Sequence, residues 1–234
     1  MPGMARPPGN RLEHSMKPRF FQVGFNRCGT TSIADMLERQ GLTAVHHSYL
    51  RDGEKRNIAL TIADNLEQGR PPLDGMDDID AFTDVEYTSE GRIVEGYKHF
   101  REIAAAYPEM KFILNIRKRD DWIKSRLGFA NYPERYAACY GLTRDQVIEK
   151  WERDWDTHLA AVRAEIPAER LLIMDIDAPD PEAVNAFFDF DAGSAFRRRN
   201  KSINGPLAKW AQKALPKGLV KAVPNRWKNY LKDF

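Results

Sequence analysis

Residues 19–37 constrain the fold of this chain more than any other stretch. Phe20, Phe21 and Val23 predict a short apolar strand, positions 24–29 a turn bounded by Gly24 and Gly29, and Ile33, Met36 and Leu37 the buried stripe of a helix. A strand that passes through a glycine-bounded loop into a helix is a phosphate cradle. The glycines let the backbone turn tightly around an anion, while the unpaired N–H groups of the first helical turn and the positive end of the helix dipole point at it. The hydroxyls of Thr30, Thr31 and Ser32 add donors at the same place.

The loop is near the nucleoside-triphosphatase pattern and departs from it in one respect. Gly24 and Gly29 have the P-loop spacing, yet Thr30 stands where a lysine would reach the β and γ phosphates, and the cation is Arg27 instead. The order basic residue, small residue, Gly, Thr, Thr resembles the first phosphosulfate-binding loop of sulfotransferases that use 3'-phosphoadenosine 5'-phosphosulfate (PAPS). A second motif agrees: residues 111–125 read KFILNIRKRDDWIKS, an apolar strand with Arg117 at its end and Ser125 eight positions later. The same families hold the 3'-phosphate with an arginine and a serine so spaced. VGFNRCGTTSI, AAYPEMKFIL and the Arg117, Asp121, Trp122 pattern look most like the bacterial branch of the superfamily. The resemblance runs from about residue 20 to 125 and is thin beyond.

That resemblance implies a site. Arg27, Cys28, Gly29, Thr30, Thr31 and Ser32 would hold the phosphosulfate, with Arg27 neutralising charge on the leaving phosphate. Arg117 and Ser125 would hold the 3'-phosphate. Many relatives bring a late basic loop over that phosphate, which directs attention to Arg198 in the FRRRNKS run of residues 196–202. A solvated charge run is the alternative reading. The donor would be PAPS, the product 3',5'-adenosine bisphosphate, and no metal is expected. The two anion pockets are expected about one adenosine apart on a common rim. In one branch the acceptor's base is a histidine that follows a threonine; here Thr83 is followed by Asp84. Asp84 is therefore the first candidate base, Glu86 the second, and His46 or His47 the third. A carboxylate in this role needs burial to raise its pKa. The alternative for Asp84 is a cap or salt-bridge partner. Cys28 is not read as a nucleophile, because a cysteine phosphatase loop needs arginine at position 34, which is alanine.

The 234 residues suffice for one sizeable core. A net charge of +2 carries no nucleic-acid signature, so anion selectivity must be local and no nucleic-acid partner is expected. Cys28 and Cys139 have no metal-like or disulfide-scaffold spacing. The N-terminal residues are charged and proline-rich without an apolar run, which predicts no signal peptide or membrane span and a cytoplasmic enzyme.

Strands alternating with helices predict an α/β fold: a mainly parallel, P-loop-like central sheet with helices on both faces. Residues 1–17 read as a flexible lead-in, 18–204 as the α/β domain and 205–234 as a basic helical extension. In that extension Trp210, Leu215, Leu219, Trp227 and Leu231 alternate with lysines, which suits packing on the domain or peripheral contact with an anionic membrane. Positions 43–46 and 81–85 predict strands, Ile58, Ile62 and Leu66 a helix stopped by Gly69, and Ile93, Tyr97, Phe100 and Ile103 one helix face. Residues 128–142 read as an irregular packed connection, with a substrate lid as alternative. A capping box at Thr143–Gln146 opens a long helix whose Trp151 and Trp155 are core. Residues 170–176 predict a strand and Pro181 a further helix. The loops 49–56 and 128–142 would line a pocket for a small-molecule, carbohydrate or lipid-headgroup acceptor. Two other functions fit the cradle: a nucleotide-binding module without catalysis, and an ATP-dependent kinase, which the absent lysine disfavours.

Overall fold

The computed structural model describes residues 18–188, 190–192 and 196. The expected lead-in, Arg198 with its basic run, and the C-terminal extension lie outside the described residues. The chain begins with β1 (Phe20–Gln22), α1 (Thr30–Arg39), β2 (Ala44–His46), β3 (Ser48–Arg51), β4 (Glu54–Asn57) and α2 (Ile58–Glu67). It continues through β5 (Ala81–Thr83), β6 (Tyr87–Ser89), β7 (Arg92–Val94), a 3₁₀ turn (Gly96–His99) and α3 (Phe100–Ala106). Then come β8 (Lys111–Ile116), α4 (Arg119–Leu127), α5 (Tyr132–Tyr140), α6 (Arg144–Glu165), β9 (Leu171–Asp175) and α7 (Pro181–Phe188).

The main sheet has the order β4-β3-β2-β5-β1-β8-β9, and its five strands β2, β5, β1, β8 and β9 are parallel. This is the expected α/β fold. Because side chains alternate along a strand, neighbouring residues of β1 feed different cores. Phe20 packs with Ile33, Leu37, Ile113, Leu172 and Phe188 beneath α1 and α7. Phe21 packs with Phe82, Phe112, Ile62, Ile103 and Trp122 beneath α2, α3 and α4. Both faces of the sheet are thus covered, and function is left to the strand ends and the loops that follow them.

Three local readings need correction. Residues 49–56 are not a loop but the antiparallel hairpin β3–β4, which widens the sheet at one edge. Its turn is Asp52-Gly53, both with positive φ (54° and 78°), a pairing that two-residue hairpins favour. Ile93 is not on the α3 face: it lies in β7, paired with β6 across the Glu90-Gly91 turn. Gly96 then passes so close to Ala59 and Val85 that a Cβ there would sit 2.9 Å from each. Residues 128–142 hold the regular helix α5; Tyr132 and Tyr136, four apart, are buried on one face while Tyr140 is half exposed. The capping box at Thr143 and Gln146 is present, and Trp151 and Trp155 are core residues.

Candidate functional site

A buried polar strap shapes the loop between β1 and α1. Gln22 and Asn115 are fully buried side chains on adjacent central strands. Buried amides must find partners, and these do. Gln22 Nε2 donates to Asn115 Oδ1 (2.6 Å) and to the carbonyl of Gly24. Asn115 Nδ2 donates to the carbonyls of Phe25 (3.1 Å) and Cys28 (2.7 Å), fastening both sides of the loop to β8. Gln22 Oε1 accepts the N–H of Asp84 (2.8 Å), fastening the segment after β5 as well. The loop approaches β8 so closely that a Cβ on Gly24 would lie 2.3 Å from Asn115 Oδ1 and 2.5 Å from the Asn115 carbonyl. From below, Trp155 stacks on Phe25 (centroids 5.3 Å apart) and His158 Nε2 donates to the carbonyl of Val23 (2.7 Å).

Above this strap is a cleft of about 190 Å³ at the carboxyl ends of the parallel strands. Arg27, Gly29, Thr30, Thr31, Ser32, Arg117, Ser125, Asp84 and His46 all line it, so most sequence-predicted site residues come together there. The N-terminus of α1 enters the cleft with Gly29 at φ 74°, without a side-chain cap and without an acidic residue in its first turn. Its leading N–H groups and dipole therefore favour an anion. His46 Nε2 lies 3.1 Å from Thr30 Oγ1, 3.3 Å from Thr31 Oγ1 and 3.7 Å from Asp84 Oδ2. His47 is also near Asp84 (3.9 Å), and burial holds its pKa below the ordinary histidine value.

The expected pair of separate anion pockets is instead one continuous cleft. Arg27 Nε donates to Ser125 Oγ (3.2 Å), and Arg117 Nη1 donates to the Arg27 carbonyl (3.3 Å). The Arg27 guanidinium lies over the Phe129 ring, 4.3 Å from its centroid. Burial lowers the Arg27 pKa, Asp84 acts against that and Arg117 adds to it. Arg117 Nε is buried without a hydrogen-bond partner among the described residues; the nearest carboxylate is Asp177, at 3.7 Å. Two cations converge here with a helix N-terminus, and among the described lining residues Asp84 is the sole carboxylate. The local field suits a polyanion. Arg27 (φ 60°), His47 (φ 63°) and Asp84 (φ 55°) all hold left-handed backbone, a conformation unusual outside glycine that clusters at functional sites.

Two predicted residues are placed differently. Cys28 is fully buried and does not line the cleft; burial pushes its thiol up to about 12, and its carbonyl is turned to Asn115. Glu86 does not line the cleft. It is buried in an ion pair with Arg126 (3.1 Å), whose side chain is wholly buried. Neither hairpin strand of residues 49–56 lines the cleft, whereas Phe129, from the 128–142 segment expected to line the acceptor pocket, does, as do Asn26, Ile176 and Phe196, which carry no sequence-predicted site role. Phe129 follows the predicted helix of Trp122 by less than two turns, a signal that was available. Ile176 was visible only as a strand-end residue; contact of its side chain with the Cβ position of Gly29 (3.1 Å) depends on sheet order. Among the described residues no cluster of His, Cys, Asp or Glu could hold a metal ion, and no helix is long and apolar enough to cross a membrane.

Fold and cleft define an α/β protein with a cation-lined cleft at the carboxyl edge of a parallel sheet. Residues 19–131 match the family model of the sulfotransferase domain, a stretch that contains both predicted anion motifs and the whole strap. The match supports the sulfotransferase superfamily for this part of the chain, and with it sulfuryl transfer in general. No curated protein matches the chain.

Proposed function

We propose that the protein transfers the sulfuryl group of PAPS to a hydroxyl or amine acceptor by in-line displacement, releasing 3',5'-adenosine bisphosphate. The observation that carries this reading is the convergence of Arg27, Arg117 and the uncapped N-terminus of α1 on one cleft. A donor with a 5'-phosphosulfate and a 3'-phosphate supplies the negative charge those groups call for. In the reaction the acceptor oxygen or nitrogen forms a bond to sulfur as the bond from sulfur to the bridging phosphate oxygen breaks. The departing electron pair stays on the phosphate, beside Arg27 and the α1 N–H groups, where charge stabilisation is most effective. Arg117 and Ser125 bind the 3'-phosphate and orient the donor without entering the chemistry.

The acceptor's proton goes to Asp84. Its strained backbone is held by the Gln22 side chain, and it faces the cleft beside His46. His46, within reach of the Thr30 and Thr31 hydroxyls, orients the first turn of α1 and is the alternative base. The acceptor itself is a small molecule, carbohydrate or lipid headgroup. Calorimetry with 3',5'-adenosine bisphosphate, PAPS and ATP tests the donor: tighter binding of the bisphosphate than of ATP is expected, and the reverse order overturns the reading. Mass-spectrometric screening of acceptors with labelled PAPS then reads the transfer itself.

A further inference from the structure

Arg27 occupies a backbone conformation that a non-glycine residue leaves unless its surroundings hold it there. The residue before it shows how it is held. Asn26 Oδ1 accepts from Arg126 Nε (3.0 Å), and Asn26 Nδ2 donates to the Tyr132 hydroxyl (3.0 Å) and to Glu86 Oε1 (3.3 Å). The Asn26 carbonyl accepts from Trp122 Nε1 (3.1 Å). Glu86 Oε2 accepts from Arg126 Nη2, and Oε1 also accepts from Thr88 Oγ1 (3.0 Å) and the Tyr132 hydroxyl. Arg126 is wedged against Trp122, Tyr132 and Trp151 (4.4, 5.2 and 5.1 Å to the ring centroids) and follows Ser125 on α4. The buried pair thus joins the anion loop to the helix that carries Ser125.

We propose that Glu86 and Arg126 are positioning residues that clamp Asn26, and through it hold the left-handed backbone of Arg27 in its anion-binding conformation. This replaces the base role that the sequence suggested for Glu86. Every group drawn up to its carboxyl is a donor, which is the arrangement of the ionised form; protonation adds a hydrogen that must displace one of them. Burial raises the Glu86 pKa to about 7, against the pull of Arg126; Glu95, Tyr132 and Asp84 also face it. Tyr97, Tyr136 and Tyr140 also feel its charge, and His47 hydrogen-bonds to its backbone. The sign follows from the Asn26 donor. When the loop opens, the carboxylate stays buried with one hydrogen bond fewer, so opening raises its pKa further and is opposed once Glu86 is ionised. The clamp is strongest above about pH 7 and weakens below it.

Hydrogen exchange on the ligand-free full chain, expressed as protection relative to intrinsic rates, tests the clamp. Glu86→Gln is expected to lower protection of the Ser32 and Ile33 amides, which donate to the Gly29 carbonyl at the end of the loop, about tenfold at pH 8.5 and to match the wild type at pH 6, with the β8 amides unchanged at both. Asn26→Ala, at a half-buried position, is expected to lower loop protection at both pH values and carries the test if Glu86→Gln does not fold. Loop protection within twofold of wild type in the variants, or a Glu86→Gln loss that is the same at both pH values, overturns the proposal. The consequence for catalysis rests on the donor reading above: affinity for 3',5'-adenosine bisphosphate should fall with loop protection. A wild type that does not bind the bisphosphate defeats the donor reading, while exchange still decides the clamp.

Discussion

Asn115→Ala is the most informative perturbation of the scaffold. It removes the two donors that hold the Phe25 and Cys28 carbonyls and the acceptor of Gln22 Nε2. Asn115 is fully buried, so water cannot take over these partners without opening the core. Each stranded buried group costs about 1–3 kcal/mol, and the three together, less some relaxation of the loop, about 4 kcal/mol. That is a large part of the 5–15 kcal/mol typical of a folded protein. Urea unfolding followed by tryptophan fluorescence measures it directly, since Trp122, Trp151 and Trp155 are buried in the core beneath the loop. The midpoint should fall with little change in slope. Asn115→Asp, nearly isosteric, turns an acceptor toward both carbonyls and should cost at least as much, so that the loss tracks donors rather than volume. Asn131→Ala, exposed and without a side-chain cap hydrogen bond, is the control and should change stability by no more than about 0.5 kcal/mol. A loss below about 1 kcal/mol in Asn115→Ala would refute the strap.

Four further outcomes rest on the same geometry. Gly24→Ala forces a methyl against the Asn115 side chain and backbone, and should destabilise by about 1–3 kcal/mol in the same urea titration; a neutral result would mean the loop and β8 are further apart than described. Cys28, with its thiol lifted to about 12, is ionised in only about one molecule in 10⁴ at pH 8. Native protein should therefore leave Cys28 unalkylated by iodoacetamide on a timescale that modifies the denatured chain fully, as peptide mapping would show; rapid native labelling would count against its burial. On the proposed chemistry, Arg27→Ala should lower kcat by about 10²–10³ and Asp84→Asn by about 10²–10⁴, in sulfate-transfer assays with folded protein. An Asp84→Asn enzyme of undiminished kcat would move the base to His46.

What could be read from the sequence was whatever repeats with a period or sits at a fixed offset. The strand, glycine loop and helix of residues 19–37 are visible because apolar spacing and glycines are local properties, and the sheet found them where expected. The Arg117 and Ser125 offset is likewise local, and both side chains reach the cleft. The misread segments failed for identifiable reasons. Asp52-Gly53 is a hairpin turn signal, but its strands SYLR and EKRN lack the apolar alternation that marks a strand, and the tyrosines at 132, 136 and 140 have helical spacing partly masked by polar neighbours.

The strap and clamp were illegible for a deeper reason. Gln22, Asn115, Asn26 and Glu86 are polar residues that each have partners 40 or more positions away, as with Glu86 and Arg126 or Asn115 and Phe25. Nothing periodic marks them, and their meaning depends on which strands become neighbours. A polar residue inside KFILNI is nonetheless a warning, because a central strand buried on both faces has no water to offer an amide. Once β1 and β8 pair, Asn115 has the Gly24 loop within reach and little else to bond, so the constraint that makes it costly to bury also makes it the fastening of the loop. The same reasoning separates the two carboxylates near the site. Asp84 faces the cleft and can take up a proton arriving from solvent or substrate, whereas Glu86, two residues on, is enclosed by donors and can act only through what it holds.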